Sequence, residues 1–272
     1  MGVLLLSPFN LSFDLQEARE DVLIAFASYC GADSLKSWDC FWCNTTAVGV
    51  TAILYNSTYD IAGFVGIHYA RSEIVVVFRG TVKTSFSNWI EDLNFVQTNP
   101  YPDLSDISVH EGFWLSYLSI ESQLQRALKD TLSLCGGCKR TVYIGHSLGG
   151  ALAALALMDT NYKHQLQQPL PVLYTFGQPR TGNLMWAQFM STWTNTSTRV
   201  VHNRDIVPHL PPMAFGYHHV PVEVWMEDSS SYVVCNSSGE DPSCSDSVEI
   251  ISIKDHLVYL GYDHTLGSTK GC

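Results

Sequence analysis

"TVYIGHSLGGALAALALM", Thr141 to Met158, is the stretch on which the fold turns. Its first part, Thr141 to Ile144, is short, β-branched and aromatic, and reads as a strand. Its last part, Leu148 to Met158, is rich in alanine and leucine and reads as a buried helix. Between them stands Gly145-His146-Ser147-Leu148-Gly149. A turn this sharp forces its central residue into a strained backbone conformation. Side chains two positions away on either side would collide, so glycine is needed at 145 and 149. The turn lifts the Ser147 hydroxyl above the sheet's edge. It also aims the N-terminus of the next helix at the reacting oxygen, where free N–H groups stabilise negative charge. The plainer reading is a glycine-rich turn with an incidental serine. The strand before it and the apolar helix after it are the context a nucleophile turn requires.

Working outward, the pattern repeats. "IAGFVGIHY" and "EIVVVFRG" read as strands, and the second is apolar throughout, as a strand buried on both faces would be. "VLYTFG" from Val172, "RVVHN" from Arg199 and "VEVW" from Val222 are further strands. Helical spacing marks "DLQEAREDVLIAFASYC" from Asp14, Phe113 to Leu134 as one long amphipathic helix, and "GNLMWAQFMSTW". Strands alternating with helices predict an α/β protein with a central, largely parallel sheet. No repeat or linker divides the 272 residues, so one domain over 1–272 is expected.

Composition removes several function classes. The net charge is −11, with 26 acidic against 15 basic residues and no basic run, which excludes a nucleic-acid surface. An acidic surface also has little attraction for anionic lipid headgroups. No apolar stretch approaches the ~20 residues of a membrane span. "MGVLLLSPFN" lacks a basic n-region, and reads as a signal remnant or an arbitrary start.

The eight cysteines are Cys30, Cys40, Cys43, Cys135, Cys138, Cys235, Cys244 and Cys272, and N-x-S/T sequons begin at Asn10, Asn44, Asn56, Asn195 and Asn236. An even cysteine count with several sequons predicts a secreted, disulfide-bonded, glycosylated chain. The competing reading is a metal site at Cys40/Cys43 and Cys135/Cys138, but those pairs stand far further apart than the ~15–20 residues of a zinc ribbon. A thioredoxin-like Cys135-Gly-Gly-Cys138 is weaker still, because it follows a predicted helix where that motif should open one. No metal and no cofactor are expected.

A nucleophilic serine needs a base, and the base an orienting acid, both after the serine in this chain order. Asp205 sits where the acid should, just past the strand in "TRVVHNRDIVPHLPP". The base should come from a late loop, which leaves His256 and His264; position alone does not separate them. His218 and His219 lie too close to the next strand.

Six segments in order now carry a resemblance: "VVVFRGT" with "SNWIEDLNF", "VHEGFWLSY", "GHSLGGALA", "YTFGQPRTGN", "HNRDIVPHLPP" and "DHLVYLG". Over nearly the whole chain the sequence resembles the fungal-type secreted triacylglycerol lipases, the class 3 lipases. The resemblance implies an α/β-hydrolase fold with Ser147 as nucleophile, Asp205 as acid and His256, not His264, as base. It implies an oxyanion hole from the Thr81 N–H and hydroxyl and the Leu148 N–H. It implies a lid helix at about residues 82–96, with Phe86, Trp89, Ile90 and Leu93 on one face and Asn88, Glu91 and Asp92 opposite. The stretch from Thr81 to Asn88 looks about two residues longer than in those enzymes. Disulfides Cys30–Cys272, Cys40–Cys43 and Cys235–Cys244 follow from the same match, and Cys135–Cys138 is the pair left over.

The expectation is therefore a secreted, monomeric serine ester hydrolase acting on lipid esters at a lipid–water interface. Its rivals are a partial-glyceride lipase, a phospholipase or a feruloyl-type esterase on the same scaffold. A catalytically silent lipid-binding relative and a disulfide-rich adhesion module are the non-enzyme alternatives; the second has no account of the serine turn.

Overall fold

The computed structural model describes residues 13–45, 47–82, 88, 90–194, 196–270 and 272. The chain begins with α1 (Leu15–Ala27), α2 (Ala32–Ser37), β1 (Val48–Asn56), β2 (Ile61–His68) and β3 (Glu73–Phe78). Short strands β4 (Gln97–Thr98) and β5 (Val109–His110) lead into α3 (Glu111–Leu118) and α4 (Glu121–Leu134). Then come β6 (Arg140–His146), α5 (Leu148–Tyr162), β7 (Leu170–Phe176), α6 (Leu184–Met190) and β8 (Ser197–His202). The last elements are β9 (Glu223–Met226), β10 (Tyr232–Val234), α7 (Ile253–His256), β11 (Val258–Tyr259), β12 (Tyr262–Asp263) and α8 (Thr265–Thr269).

The central sheet has the order β1-β2-β3-β6-β7-β8-β9-β10. From β3 to β9 neighbouring strands run parallel; β1, β2 and the final β10 are antiparallel to their neighbours. Every residue of β3 is buried, because both faces of the sheet are covered. Val76 and Phe78 face a core that includes Tyr117, Leu128, Leu152 and Trp186, while Val75 and Val77 face one that includes Val22, Phe26, Ile144 and Phe176. That period of two is the strand's own alternation. The small side chains of α5, all buried from Leu148 to Thr160, let this helix lie close on the sheet. These layers form the α/β-hydrolase architecture.

At the start of α1 the Asp14 carboxylate accepts the N–H groups of Gln16 at 2.8 Å and Glu17 at 3.1 Å, closing the helix end. Below β3 and β6, the buried Asp21 pairs with Arg71, which also meets Glu73 at 3.0 Å. Burial pushes the Asp21 carboxyl up to about 7, against the pull of Arg71.

The expected single helix over 113–134 is two helices. Ser119 closes α3, its hydroxyl donating back to the Ser116 carbonyl at 2.7 Å. Its own carbonyl accepts the Asn56 side-chain amide at 3.1 Å. The break turns the apolar Ile120 into the core, where it is 1% exposed. The edge strands β1 and β10 are elements that the apolar patterning did not predict.

Disulfides join Cys30 to Cys272, Cys40 to Cys43, Cys135 to Cys138 and Cys235 to Cys244. The first spans 242 residues and ties the end of α1 to the C-terminus. Each sulfur of the alternative Cys40/Cys43 and Cys135/Cys138 metal site is thus consumed in a local bridge. Of the sequons, Asn44 and Asn236 are exposed. Asn56 is engaged, its amide nitrogen on Ser119 and its oxygen accepting Thr58 and Tyr59 N–H groups. Asn10 and Asn195 lie outside the described residues.

Candidate active site

Ser147 occupies the turn between β6 and α5 with φ 60° and ψ −135°. A side chain other than glycine's pays for positive φ in strain, and a whole tightened turn is needed to hold it. The glycines make that turn possible. A Cβ on Gly145 would run into the Gly149 backbone, and one on Gly149 would run into the Phe78 carbonyl. The Ser147 N–H donates to the Phe176 carbonyl at 2.9 Å, pinning the turn to β7. The Ser147 hydroxyl is buried and has no hydrogen-bond partner among the described residues.

Asp205 follows β8 and is fully buried. Its carboxylate accepts His256 Nδ1 at 2.8 and 3.0 Å on its two oxygens. The backbone N–H of Val207 donates to it at 2.8 Å, and the Tyr259 hydroxyl donates to Oδ2. A buried carboxylate stays charged only when so surrounded by donors. Burial, and next the neighbouring carboxylate, raise Tyr259 well above the usual phenol range, so it remains a donor.

His256 ends α7, whose first turn is closed by the Ser252 hydroxyl accepting Asp255 N–H at 3.1 Å. Backbone bonds between Ser252 and the 204–206 segment hold α7 against the loop that carries Asp205. The His256 ring stacks on His146, the residue before the serine, with centroids 4.6 Å apart. The competing His264 packs instead edge-on to Tyr29 and Phe26. His219 is buried with Nε2 against the Pro208 carbonyl, and His218 Nδ1 lies against the His219 carbonyl.

Thr81 and Leu148 line one cleft of about 450 Å³, together with Leu93, Asn94, His110 and Phe113. Leu148 is the first residue of α5, so its N–H is one of that helix's free donors. Of the expected lid, Asn88 and residues 90–92 are helical. Ile90 and Leu93 are half-buried, Leu93 against the core, while Asn88, Glu91 and Asp92 are exposed. Phe86 and Trp89 lie outside the described residues. His110 Nε2 meets the Asn94 carbonyl at 2.5 Å and so fixes the end of this segment.

Two residues of the site had no signal in the spacing of motifs. Gly177 has φ 59°, and a Cβ there would come within 2.7 Å of Asp205 Oδ2 and 2.8 Å of His256 Cε1. The glycine after "YTF" was visible, but not what approached it. Tyr259, three residues beyond His256, reaches Asp205 across 54 residues of sequence.

A carboxylate holding one nitrogen of an imidazole, beside a strained serine at a helix N-terminus, is equipped for nucleophilic acyl transfer. A family model for class 3 lipases matches residues 75–215. The chain is 38% identical over 260 residues to a lipase of Rhizomucor miehei, spanning 92% of this chain and 69% of that protein. It is 33% identical over 227 residues to the secreted mono- and diacylglycerol lipase A of Penicillium cyclopium, spanning 79% of this chain and 72% of that one. A solved triacylglycerol lipase whose catalytic centre is described as a serine protease triad matches with a TM-score of 0.85 at 35% identity, over 94% of this chain and 98% of that one. The chain spans about two-thirds of the length of the curated relatives, from 63% to 72%. No helix among the described residues is long and apolar enough to cross a membrane. With 38% identity sustained over 92% of its length, the chain belongs to the class 3 lipase family.

Proposed function

We propose that this protein is a secreted triacylglycerol lipase that works at lipid–water interfaces through an acyl-enzyme on Ser147. The observation that carries the reading is the His256–Asp205 pair, at 2.8 Å, stacked beside the strained Ser147 turn.

In this reading the Ser147 oxygen attacks the ester carbonyl as its proton passes to Nε2 of His256. Asp205 holds the imidazole through Nδ1 and stabilises its positive form. The carbonyl oxygen becomes an oxyanion, met by the N–H groups of Thr81 and Leu148 and the Thr81 hydroxyl. His256 protonates the departing alcohol, and the acyl group remains on Ser147. Water, deprotonated by His256, then releases the fatty acid and restores the serine.

The interface is supported by what surrounds the site. Ile250 is 68% and Ile251 47% exposed just before the helix that ends at His256, and Ile253, its first residue, is 42% exposed. Phe215, 55% exposed, packs on Phe95 near the end of the lid segment. An apolar rim of this kind, beside a lid expected over about residues 82–96 in which Ile90 and Leu93 are half-buried, suits a droplet surface. A second reading, preference for mono- and diacylglycerols, is favoured by the Penicillium relative and is separated by comparing rates on tri- and diacylglycerol emulsions.

The mechanism is tested by covalent labelling with an organophosphonate ester and mass mapping of the product. One label on Ser147, absent in Ser147→Ala together with a loss of about six powers of ten in kcat, is the expected result. An unlabelled wild type, or label on another residue, would overturn the assignment.

A further inference from the structure

His146 stands beside Ser147 in sequence, and its ring is 1% exposed. Its Nε2 lies 2.9 Å from the backbone carbonyl oxygen of His256. Its Nδ1 lies 2.8 Å from the Tyr29 hydroxyl, just past α1. That hydroxyl in turn accepts the backbone N–H of Gly80 at 3.1 Å. Three hydrogen bonds in series therefore connect the Gly80–Thr81 segment, the serine turn and the segment that carries His256.

Only one placement of protons satisfies the series. A carbonyl accepts and never donates, so Nε2 of His146 carries the hydrogen. Burial first, then the nearby His256 and His264, hold His146 well below the usual histidine range, so the ring is neutral and Nδ1 is a bare acceptor. Tyr29 then donates to Nδ1 and keeps a lone pair for Gly80. Burial holds the Tyr29 hydroxyl well above the usual phenol range, so it keeps its proton.

The packing agrees. A Cβ on Gly80 would run into the Tyr29 hydroxyl and would come within 2.6 Å of the His146 carbonyl and 2.8 Å of Ser147 Cβ. Around the His146 ring stand Phe26 and Tyr29 from the α1 side, His256 and Tyr259 from the α7–β11 segment, and His264 before α8. The bond from Nε2 reaches His256 through its backbone, and so leaves that residue's own ring nitrogens to other partners. A positively charged His146 stacked on His256 would oppose the imidazolium that forms there during acyl transfer.

We propose that Tyr29 and His146 are positioning residues for the reaction: Tyr29 locks His146 in its neutral Nε2–H tautomer, and His146 holds the His256 segment and the Gly80–Thr81 segment in register with Ser147. The inference rests on the acyl-transfer reading above.

Two measurements test it. Imidazole nitrogen NMR of the wild type, with the His146 signals assigned by their loss in His146→Asn, reads the relay without any substrate. A protonated Nε2 and a hydrogen-bonded, unprotonated Nδ1 that does not titrate between about pH 5 and 8 are expected. The opposite tautomer, or titration in that window, would overturn the relay. Tyr29→Phe removes only the hydroxyl. On p-nitrophenyl butyrate below its solubility limit, kcat should fall on the order of tenfold to a hundredfold. KM should be unchanged, and the His146 Nδ1 signal should lose its hydrogen-bonded position. An unchanged kcat in the folded variant, or a loss confined to KM, would contradict the positioning role. A wild type with no esterase activity would refute acyl transfer itself, and the NMR result would still decide the relay.

Discussion

The Tyr259 hydroxyl donates to Oδ2 of Asp205, the same oxygen that receives His256 Nδ1 at 2.8 Å. The carboxylate is fully buried, so each donor offsets lost hydration. Tyr259→Phe removes one charge-assisted bond and leaves the ring in place. A loss of about 1.5–3 kcal/mol in stability is expected from urea unfolding. On a soluble ester kcat should fall as well, because the imidazolium faces a less firmly held partner. Wild-type values for both would contradict this account of Tyr259.

Gly177 is the narrowest point behind the pair. Its φ of 59° is open to glycine, and a Cβ would sit 2.7 Å from both Asp205 Oδ2 and the Tyr259 hydroxyl. Gly177→Ala must therefore displace Asp205, Tyr259 or His256. A displacement near 1 Å costs on the order of a hundredfold in rate. Stopped-flow phosphonylation of Ser147 should slow by a similar factor, while circular dichroism remains that of a folded chain. Labelling at the wild-type rate would show that the site yields without cost.

Asp21 gives a pH dependence far from the site. Its folded-state value, about 7, lies above the ordinary 3.8 of an aspartic acid. The folded chain thus keeps a proton that the unfolded chain releases. The stabilisation is fully present below the unfolded value and is lost as pH rises through about 7. Asp21→Asn cannot ionise and lacks this loss. Urea unfolding from about pH 4 to about pH 8 should therefore show the variant gaining on the wild type as pH rises. A difference that is flat with pH would mean that Asp21 ionises as an ordinary carboxylate.

The disulfides should contribute unequally. Cys30–Cys272 closes a span of 242 residues and Cys135–Cys138 one of 3. Loop-closure entropy assigns about 5 kcal/mol to the first and about 2 kcal/mol to the second. Paired Cys→Ser variants, compared by thermal melting, should fall in that order. Equal losses would place the effect in local packing.

The sheet was legible because β3 and β6 are apolar runs of strand length and α5 follows the serine without a break. Asp205 was legible because it follows a strand and precedes a proline-rich turn. His256 was not separable from His264 by spacing, since both close the chain within one short segment. The resemblance to a family made that choice, and the fold brings His256 to Asp205 while His264 packs on Tyr29. Tyr29 lies 117 residues from His146, and Tyr259 54 from Asp205, so nothing local announces either contact. The helix break at Ser119 escaped the 3.6-residue pattern because a tertiary bond from Asn56 stabilises it. The edge strand β1 escaped because its buried, half-buried and exposed residues follow no clean alternation.

The most direct test is the rate of tributyrin hydrolysis as its concentration crosses the solubility limit, with Ser147→Ala as the blank. A sharp rise once droplets form, absent from the blank, is expected of a lidded lipase that acts at an interface through Ser147. A smooth saturating curve through the limit would contradict interfacial action, and equal rates for the two proteins would contradict the serine mechanism itself.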